Sequence, residues 1–327
     1  MNEIRKVSQV KSISENEPDS LFITCASFEE RFLGVIKSSK RESFQKIILF
    51  KFKHPNKQRE KNIKEMEDIW HLDNDPNYLK IDCEHGRTVE AILELNEKIS
   101  KMLPELSSAT ITIDITTFTK DLLTNMVLYF IKYKEVKRIR CLYTSPQRYA
   151  SPEEGGLSYG IRSIHFPPLG WSDWSPLKDN LLIIILGFEE LRARSLLERF
   201  PAQKKLIFIT KPGTILEWNE YCEKYNSNLL KVYNYCGELP AIDPYKTSQL
   251  LRQNEEILKM KEEYNIFISP LGTKPQLLAV LDSMLKGLPA NIVTTTVTKH
   301  NFPYYSSGIG SIFEFYFPFQ EGRTCSP

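Results

Sequence analysis

Two short patterns, each present twice, carry the residue types with the most chemistry. The first is Ser27-Phe28-Glu29-Glu30-Arg31, matched by Gly187-Phe188-Glu189-Glu190. Paired carboxylates just beyond an apolar strand can act as nucleophile or general base, so Glu29, Glu30, Glu189 and Glu190 are the catalytic candidates if the protein is an enzyme. The same residues have a structural reading. Ser27 as N-cap with Glu30 three positions on forms a capping box, and acidic side chains in a first helical turn complement the dipole. Gly187 has no capping hydroxyl, yet both glutamates recur beside it, which capping alone does not require. The second pattern is Asp114-Ile115-Thr116-Thr117-Phe118-Thr119-Lys120, matched by Ser269-Pro270-Leu271-Gly272-Thr273-Lys274. Small hydroxyl residues leave backbone N–H groups accessible, and a lysine in the first helical turn adds a point charge. A cation there opposes the helix dipole, so its recurrence points to a bound anion; a solvated lysine beside a capped helix is the plainer account.

These patterns belong to a longer self-similarity. Residues 21–36 match 181–196, 45–52 match 204–211, 109–130 match 264–285, and 158–166 match 306–314, always in the same order. Each series alternates short apolar strands with amphipathic helices, the arrangement of a mainly parallel sheet covered on both faces. The expected fold class is therefore α/β, as two tandem Rossmann-like repeats. The expected boundaries are a tail at 1–18, a repeat at 19–168, a Trp/Pro connector at 169–177, a second repeat at 178–318 and a tail at 319–327. Within the second repeat, the pattern predicts a helix over 214–225 and a strand over 229–233. The alternation in SIFEFYFPF reads as a final strand at a sheet edge, ended by Pro318. Phe302, Tyr304 and Tyr305 join this aromatic cluster as packing residues, and both tails are expected to be loosely ordered. In open parallel sheets, ligands bind beyond the carboxyl ends of the strands. Both patterns fall there, so the ligand-binding candidates are Ser27, Asp114, Thr116, Thr117, Thr119, Lys120, Arg148, Gly187, Ser269, Gly272, Thr273, Lys274 and Lys299. Arg148 and Lys299 enter as phosphate contacts following the fifth strand of each repeat.

The late motif resembles that of the CARF domain, the Rossmann-like sensor with which CRISPR-associated effectors bind cyclic oligoadenylates. Asp114, Thr116, Thr119 and Lys120 match that family's pattern, with Phe118 where glycine is usual. Gly272, Thr273 and Lys274 match it again, with Ser269 in place of the aspartate. The resemblance implies a nucleotide-sensing module in bacterial antiviral defence. It also implies a tandem copy that supplies both halves of a pseudo-dimer, acting through a partner protein or cleaving its own ligand without a metal. Two further readings stand beside it. One is a hydrolase or transferase acting on a nucleotide or nucleoside through the Phe-Glu-Glu pattern. The other is nucleic-acid binding through residues 37–64, which hold ten Lys/Arg and two Glu.

Composition narrows the field. With 327 residues, 41% hydrophobic and 26% charged, the chain has the profile of a globular protein with one large core or two. Lys+Arg 43 against Asp+Glu 41 gives a net charge of +2, too even for a nucleic-acid coat or a polybasic membrane binder. No apolar run is long enough to span a bilayer and no secretory signal is visible at the N-terminus, so the expected location is cytoplasmic, with no membrane partner. Six cysteines are scattered without a CxxC pair, which reads as reduced thiols. No metal site is expected from the five isolated histidines, and no cofactor is expected without GxGxxG or GxxxxGK[ST].

Overall fold

The computed structural model describes the chain except residues 1–2, 15–16, 104–105, 150–156, 173, 216, 301–304 and 320–327. Phe302, Tyr304, Cys325 and most of the expected C-terminal tail lie outside the described residues. In chain order the strands are β1 (Arg5–Val7), β2 (Asp19–Cys25), β3 (Phe44–Phe52), β4 (Tyr78–Cys83), β5 (Ile111–Asp114), β6 (Ile139–Thr144), β7 (Arg148–Tyr149), β8 (Ser158–His165), β9 (Asp179–Leu186), β10 (Lys204–Thr210), β11 (Asn234–Leu239), β12 (Tyr264–Pro270), β13 (Ala290–Ile292), β14 (Thr294–His300), β15 (Ser306–Ser307) and β16 (Ile312–Phe317). The helices are α1 (Leu33–Ser38), α2 (Lys57–Trp70), α3 (Thr88–Met102), α4 (Lys120–Leu128), α5 (Glu190–Arg199), α6 (Trp218–Val232), α7 (Pro244–Gln253), α8 (Glu255–Met260) and α9 (Lys274–Leu285).

The chain forms two compact units, 1–147 with 307–327 and 148–306. In the first unit, β6, β5, β2, β3 and β4 lie side by side and parallel. Counted along the chain, that order is 3-2-1-4-5. In the second unit, β11, β10, β9, β12 and β13 are parallel in the same order. The fold is α/β, and each parallel sheet reverses its strand order between the first strand and the fourth. Leu181 to Leu186 are all fully buried, as a central parallel strand requires with both faces covered. Helix α1 packs on α2 and α3 on α4, while α5 packs on α6 and α7 on α9. Such pairing places the helices on either side of the first strand against opposite faces.

The sheet limits differ from those expected. Residues 312–317 do not close the second sheet. Strand β16 pairs antiparallel with β6, from Ile312 opposite Thr144 to Phe317 opposite Ile139. It is not an edge either, because β1 pairs along its other side. The reason is a buried ion-pair network. Arg140 of β6 reaches Glu314 at 2.5 Å and Asp19 at 3.2 Å, and it donates to the Lys11 carbonyl at 2.6 Å. The charge of Arg140 would be costly to bury without those partners. They draw the final strand and the N-terminal segment onto the first sheet, so residues 5–13 are more ordered than a tail. Conversely, residues 158–165 belong to the second unit, where β8 pairs antiparallel with β14. The matched segments 158–166 and 306–314 thus each lie in the unit opposite to the one expected. Helix α6 also runs to Val232 and β11 begins only at Asn234. Trp218, Cys222, Asn226 and Leu229 continue one buried stripe at helical spacing, which overrides the local strand preference of residues 229–233.

Candidate functional site

The carboxyl end of each parallel sheet carries both duplicated patterns, on the loops after the first and fourth strands. In the first unit, β2 runs into Ser27, Glu29 and Glu30, and β5 runs into Thr116, Thr117, Thr119 and Lys120.

The two glutamates of the first pattern have separate tasks. Glu29 is buried and accepts from Arg31 Nε at 2.8 Å. Arg31, itself buried, reaches the Tyr143 hydroxyl at 3.3 Å and the Thr144 carbonyl at 3.5 Å at the end of the fifth strand. The second unit repeats the device. Glu189 is buried and pairs with Arg192 at 2.8 Å, and Arg192 donates to Oγ1 and the carbonyl of Thr295, both at 2.6 Å. The Ser158 hydroxyl donates to the other oxygen of Glu189. In both units, then, the first glutamate holds an arginine that ties the first-strand loop to the segment at the end of the fifth strand. Each of these carboxylates is thus engaged by an arginine of its own unit. The second glutamate points elsewhere: Glu30 is exposed and accepts from Gly308 N at 2.7 Å, while Glu190 pairs with Arg194. Ser27 is buried and accepts from Glu29 N at 3.2 Å, and no reciprocal capping bond with Glu30 is formed.

A second shared device is absent from the sequence patterns. Asn62 of α2 donates to the carbonyl of Ser27 at 2.9 Å, and Asn226 of α6 donates to the carbonyl of Gly187 at 2.8 Å. Both asparagines are buried and fix the backbone immediately before Phe-Glu-Glu. A buried asparagine in an otherwise apolar helical stripe was the signal available for them.

The second pattern differs between the units. Asp114 is fully buried and accepts from Thr116 N at 3.1 Å, from the Thr116 hydroxyl, and from Thr24 Oγ1 at 3.5 Å. Thr116 Oγ1 in turn accepts from Thr144 N at 2.9 Å. Burial pushes the Asp114 carboxyl up to about 7; the Thr116 hydrogen bonds, the Arg31 charge and Thr24 oppose the rise. Asp114 and Thr116 therefore link the ends of the fourth and fifth strands beneath the loop and do not face solvent. Gly34 is part of the same joint. A Cβ there would lie 2.6 Å from Thr144 Oγ1, so only glycine lets α1 rest on β6. Thr117 Oγ1 donates to the Cys25 carbonyl at 2.5 Å, closing the gap between first and fourth strands. Thr119 caps α4, accepting from Leu122 N at 3.4 Å, and Lys120 is the first helical residue. Thr117, Thr119 and Lys120 are the half-buried residues of this loop.

In the second unit, Ser269 is fully buried. Thr273 caps α9 in a complete capping box with Gln276. Gln276 also donates to the carbonyls of Leu239 at 3.0 Å and Pro240 at 3.2 Å, and Thr210 Oγ1 lies 3.2 Å from its oxygen. A Cβ on Gly272 would fall 1.9 Å from Gln276 Oε1 and 2.8 Å from Thr210 Oγ1, so glycine is required here by its own neighbours. Gln276 stands three residues after the cap threonine, where the first unit has Leu122. Gly272 and Lys274 remain half-buried at this edge.

Arg148 and Lys299 are exposed members of the second unit. Lys299 lies on β14 opposite Tyr159 of β8, on a strand rather than in a loop of the strand-end edge. Thiol chemistry is disfavoured: burial pushes the Cys83, Cys222 and Cys236 thiols up to about 12, and the Cys141 thiol rises for the same reason. The basic stretch 37–64 is largely neutralised. Six of its ten cations pair with carboxylates: Lys37–Glu65, Arg41–Asp75, Lys51–Glu60, Lys53–Glu84, Arg59–Glu60 and Lys64–Asp68. Among the described residues, no cluster of three or more His, Cys, Asp or Glu is suited to hold a metal, and no helix is long and apolar enough to cross a membrane.

No family model and no curated protein matches the chain. One solved structure, "Crystal structure of O-ureido-L-serine synthase", is similar over 80% of this chain and 75% of that chain, with 8% identity and a TM-score of 0.20. A likeness at that score carries no argument about fold or function.

Proposed function

We propose that the protein is a binding module for an anionic small molecule of the nucleotide class, held where each parallel sheet reverses its strand order. One observation supports this above others. In both units the fourth strand leads through a threonine cap into a helix whose first residue is a lysine, Lys120 and Lys274. A lysine at that position works against the helix dipole, and a bound anion would offset that cost. Thr117, Thr119 and Lys120 would contact the ligand in the first unit, and Gly272 and Lys274 in the second. Asp114, Thr116, Ser27, Gly187, Ser269 and Thr273 would act from beneath, by fixing the loops. In the second unit the capping residue Gln276 is engaged by its own hydrogen bonds, so the edge of the first unit is taken as the main site. The CARF resemblance supports a cyclic oligonucleotide as the ligand and antiviral defence as the setting. In this reading the Phe-Glu-Glu glutamates hold the site together and carry out no chemistry. Isothermal titration calorimetry with cyclic oligoadenylates and with inorganic pyrophosphate tests it. The wild type should bind, and Lys120→Ala combined with Lys274→Ala should eliminate the heat; undiminished affinity in the double variant would overturn the reading.

A further inference from the structure

The carboxyl ends of β3 and β4 carry a group of residues that neither duplicated pattern includes. Strand β3 ends at Phe52, followed by Lys53 and His54; β4 ends at Cys83, followed by Glu84 and His85. Lys53 N donates to the Cys83 carbonyl at 3.0 Å, and Lys53 Nζ pairs with Glu84 at 2.6 Å, so the two loops are stitched together. His85 stacks on the buried Phe52 with ring centroids 4.2 Å apart and planes inclined by 17°. His54 lies 6.3 Å from His85 at the same 17° inclination. Two exposed imidazoles are thus held nearly parallel, one of them backed by a rigid phenyl ring. Beneath them Arg59 is buried and donates to the His54 carbonyl, and among the described residues its Nε has no hydrogen-bond partner. Beside them opens a cleft of about 360 Å³ lined by Lys53, Lys80, Asp82, Glu84, Arg87 and Glu90, among others.

A flat aromatic face next to carboxylates is chemically suited to a nucleoside. Bases stack on such faces with little sequence preference, while carboxylates accept from ribose hydroxyls and exocyclic amines. A phosphate alone would gain nothing from the rings, whereas the cleft's mix of Lys53, Lys80 and Arg87 with Asp82, Glu84 and Glu90 offers both donors and acceptors to a nucleoside. Placement agrees with this. Adjacent strands are ~4.8 Å apart, so the end of β4 lies roughly 12 Å along the sheet edge from the gap between β2 and β5. That is longer than a nucleoside monophosphate and suits the terminal phosphate of an extended nucleoside triphosphate.

We propose that His85, backed by Phe52 and flanked by His54, is the nucleobase subsite of the ligand whose phosphate is held at Thr117, Thr119 and Lys120. This assignment rests on the anion-binding reading above and names the part of the ligand that reading leaves open. The probe is 2-aminopurine riboside 5′-triphosphate, whose fluorescence is quenched by stacking, with inorganic pyrophosphate as a reporter of the phosphate position alone. The wild type should bind and quench the probe. His85→Ala should weaken that binding about tenfold and abolish the quenching, and His85→Phe should restore both. His85 is exposed, so neither variant threatens the fold. Equal affinity and quenching in His85→Ala would overturn the subsite. Pyrophosphate binding without probe binding would also overturn the subsite but leave the phosphate position standing, whereas binding of neither would overturn both.

Discussion

Asp114 offers a quantitative test of how the first unit is built. Its carboxyl is fully buried, and burial raises it from 3.8 to about 7. Between those values the folded protein holds a proton that the unfolded chain has released. Stability from this group is therefore complete below about pH 4 and is lost as pH rises through 7. A difference of ~3 pH units at 1.36 kcal/mol each corresponds to about 4 kcal/mol across the window. Asp114→Asn removes the titration while keeping an oxygen that can accept from Thr116 N and the Thr116 hydroxyl. Its amide nitrogen would face Thr24 Oγ1, which can accept. Urea unfolding of both proteins at several pH values from about 5 to 9 isolates the effect, because every other group titrates alike in the two chains. The wild type should lose stability relative to the variant at up to ~1.4 kcal/mol per pH unit below pH 7, and the profiles should run parallel above 8. Profiles parallel throughout would refute the buried, proton-binding description of Asp114.

Other consequences follow from the same geometry. Glu29→Gln removes the carboxylate paired with the buried Arg31 and should cost about 3–5 kcal/mol in unfolding free energy, far more than Glu30→Gln at an exposed position. Asn226→Ala removes the donor to the Gly187 carbonyl and should cost about 1–3 kcal/mol, read by chemical denaturation. Gly272→Ala should destabilise by about 1–3 kcal/mol, because the added methyl meets Thr210 and Gln276; Gln276→Ala in the same chain should recover part of that loss.

The strand and helix alternation was legible because short, wholly apolar strands such as 181–186 leave no other interpretation. What the sequence obscured was pairing between distant segments. Nothing local in SIFEFYFPF says that Arg140, some 170 residues earlier, needs Glu314 beside it. Likewise, the matched Gly-Ile-x-Ser-Ile segments look alike, yet the first lies within β8 and the second mostly in the turn before β16. At the strand ends, the Phe-Glu-Glu pattern stood out as a pattern while its role stayed ambiguous. The deciding residues, Arg31 and Arg192, are spaced differently from the glutamates in the two units, and Asn62 and Asn226 lie on separate helices. Asp114 and Lys120 share one motif, yet a strand end buries the first and a helix start leaves the second half-exposed.

The most direct test of the central claim is native mass spectrometry of the purified chain offered cyclic and linear oligoadenylates, beside the Lys120→Ala/Lys274→Ala variant. The account predicts a bound mass corresponding to a phosphate-bearing nucleotide in the wild type, absent from the variant. The same bound mass in both proteins, or a wild type that takes up none of these nucleotides at saturating concentration, would contradict it.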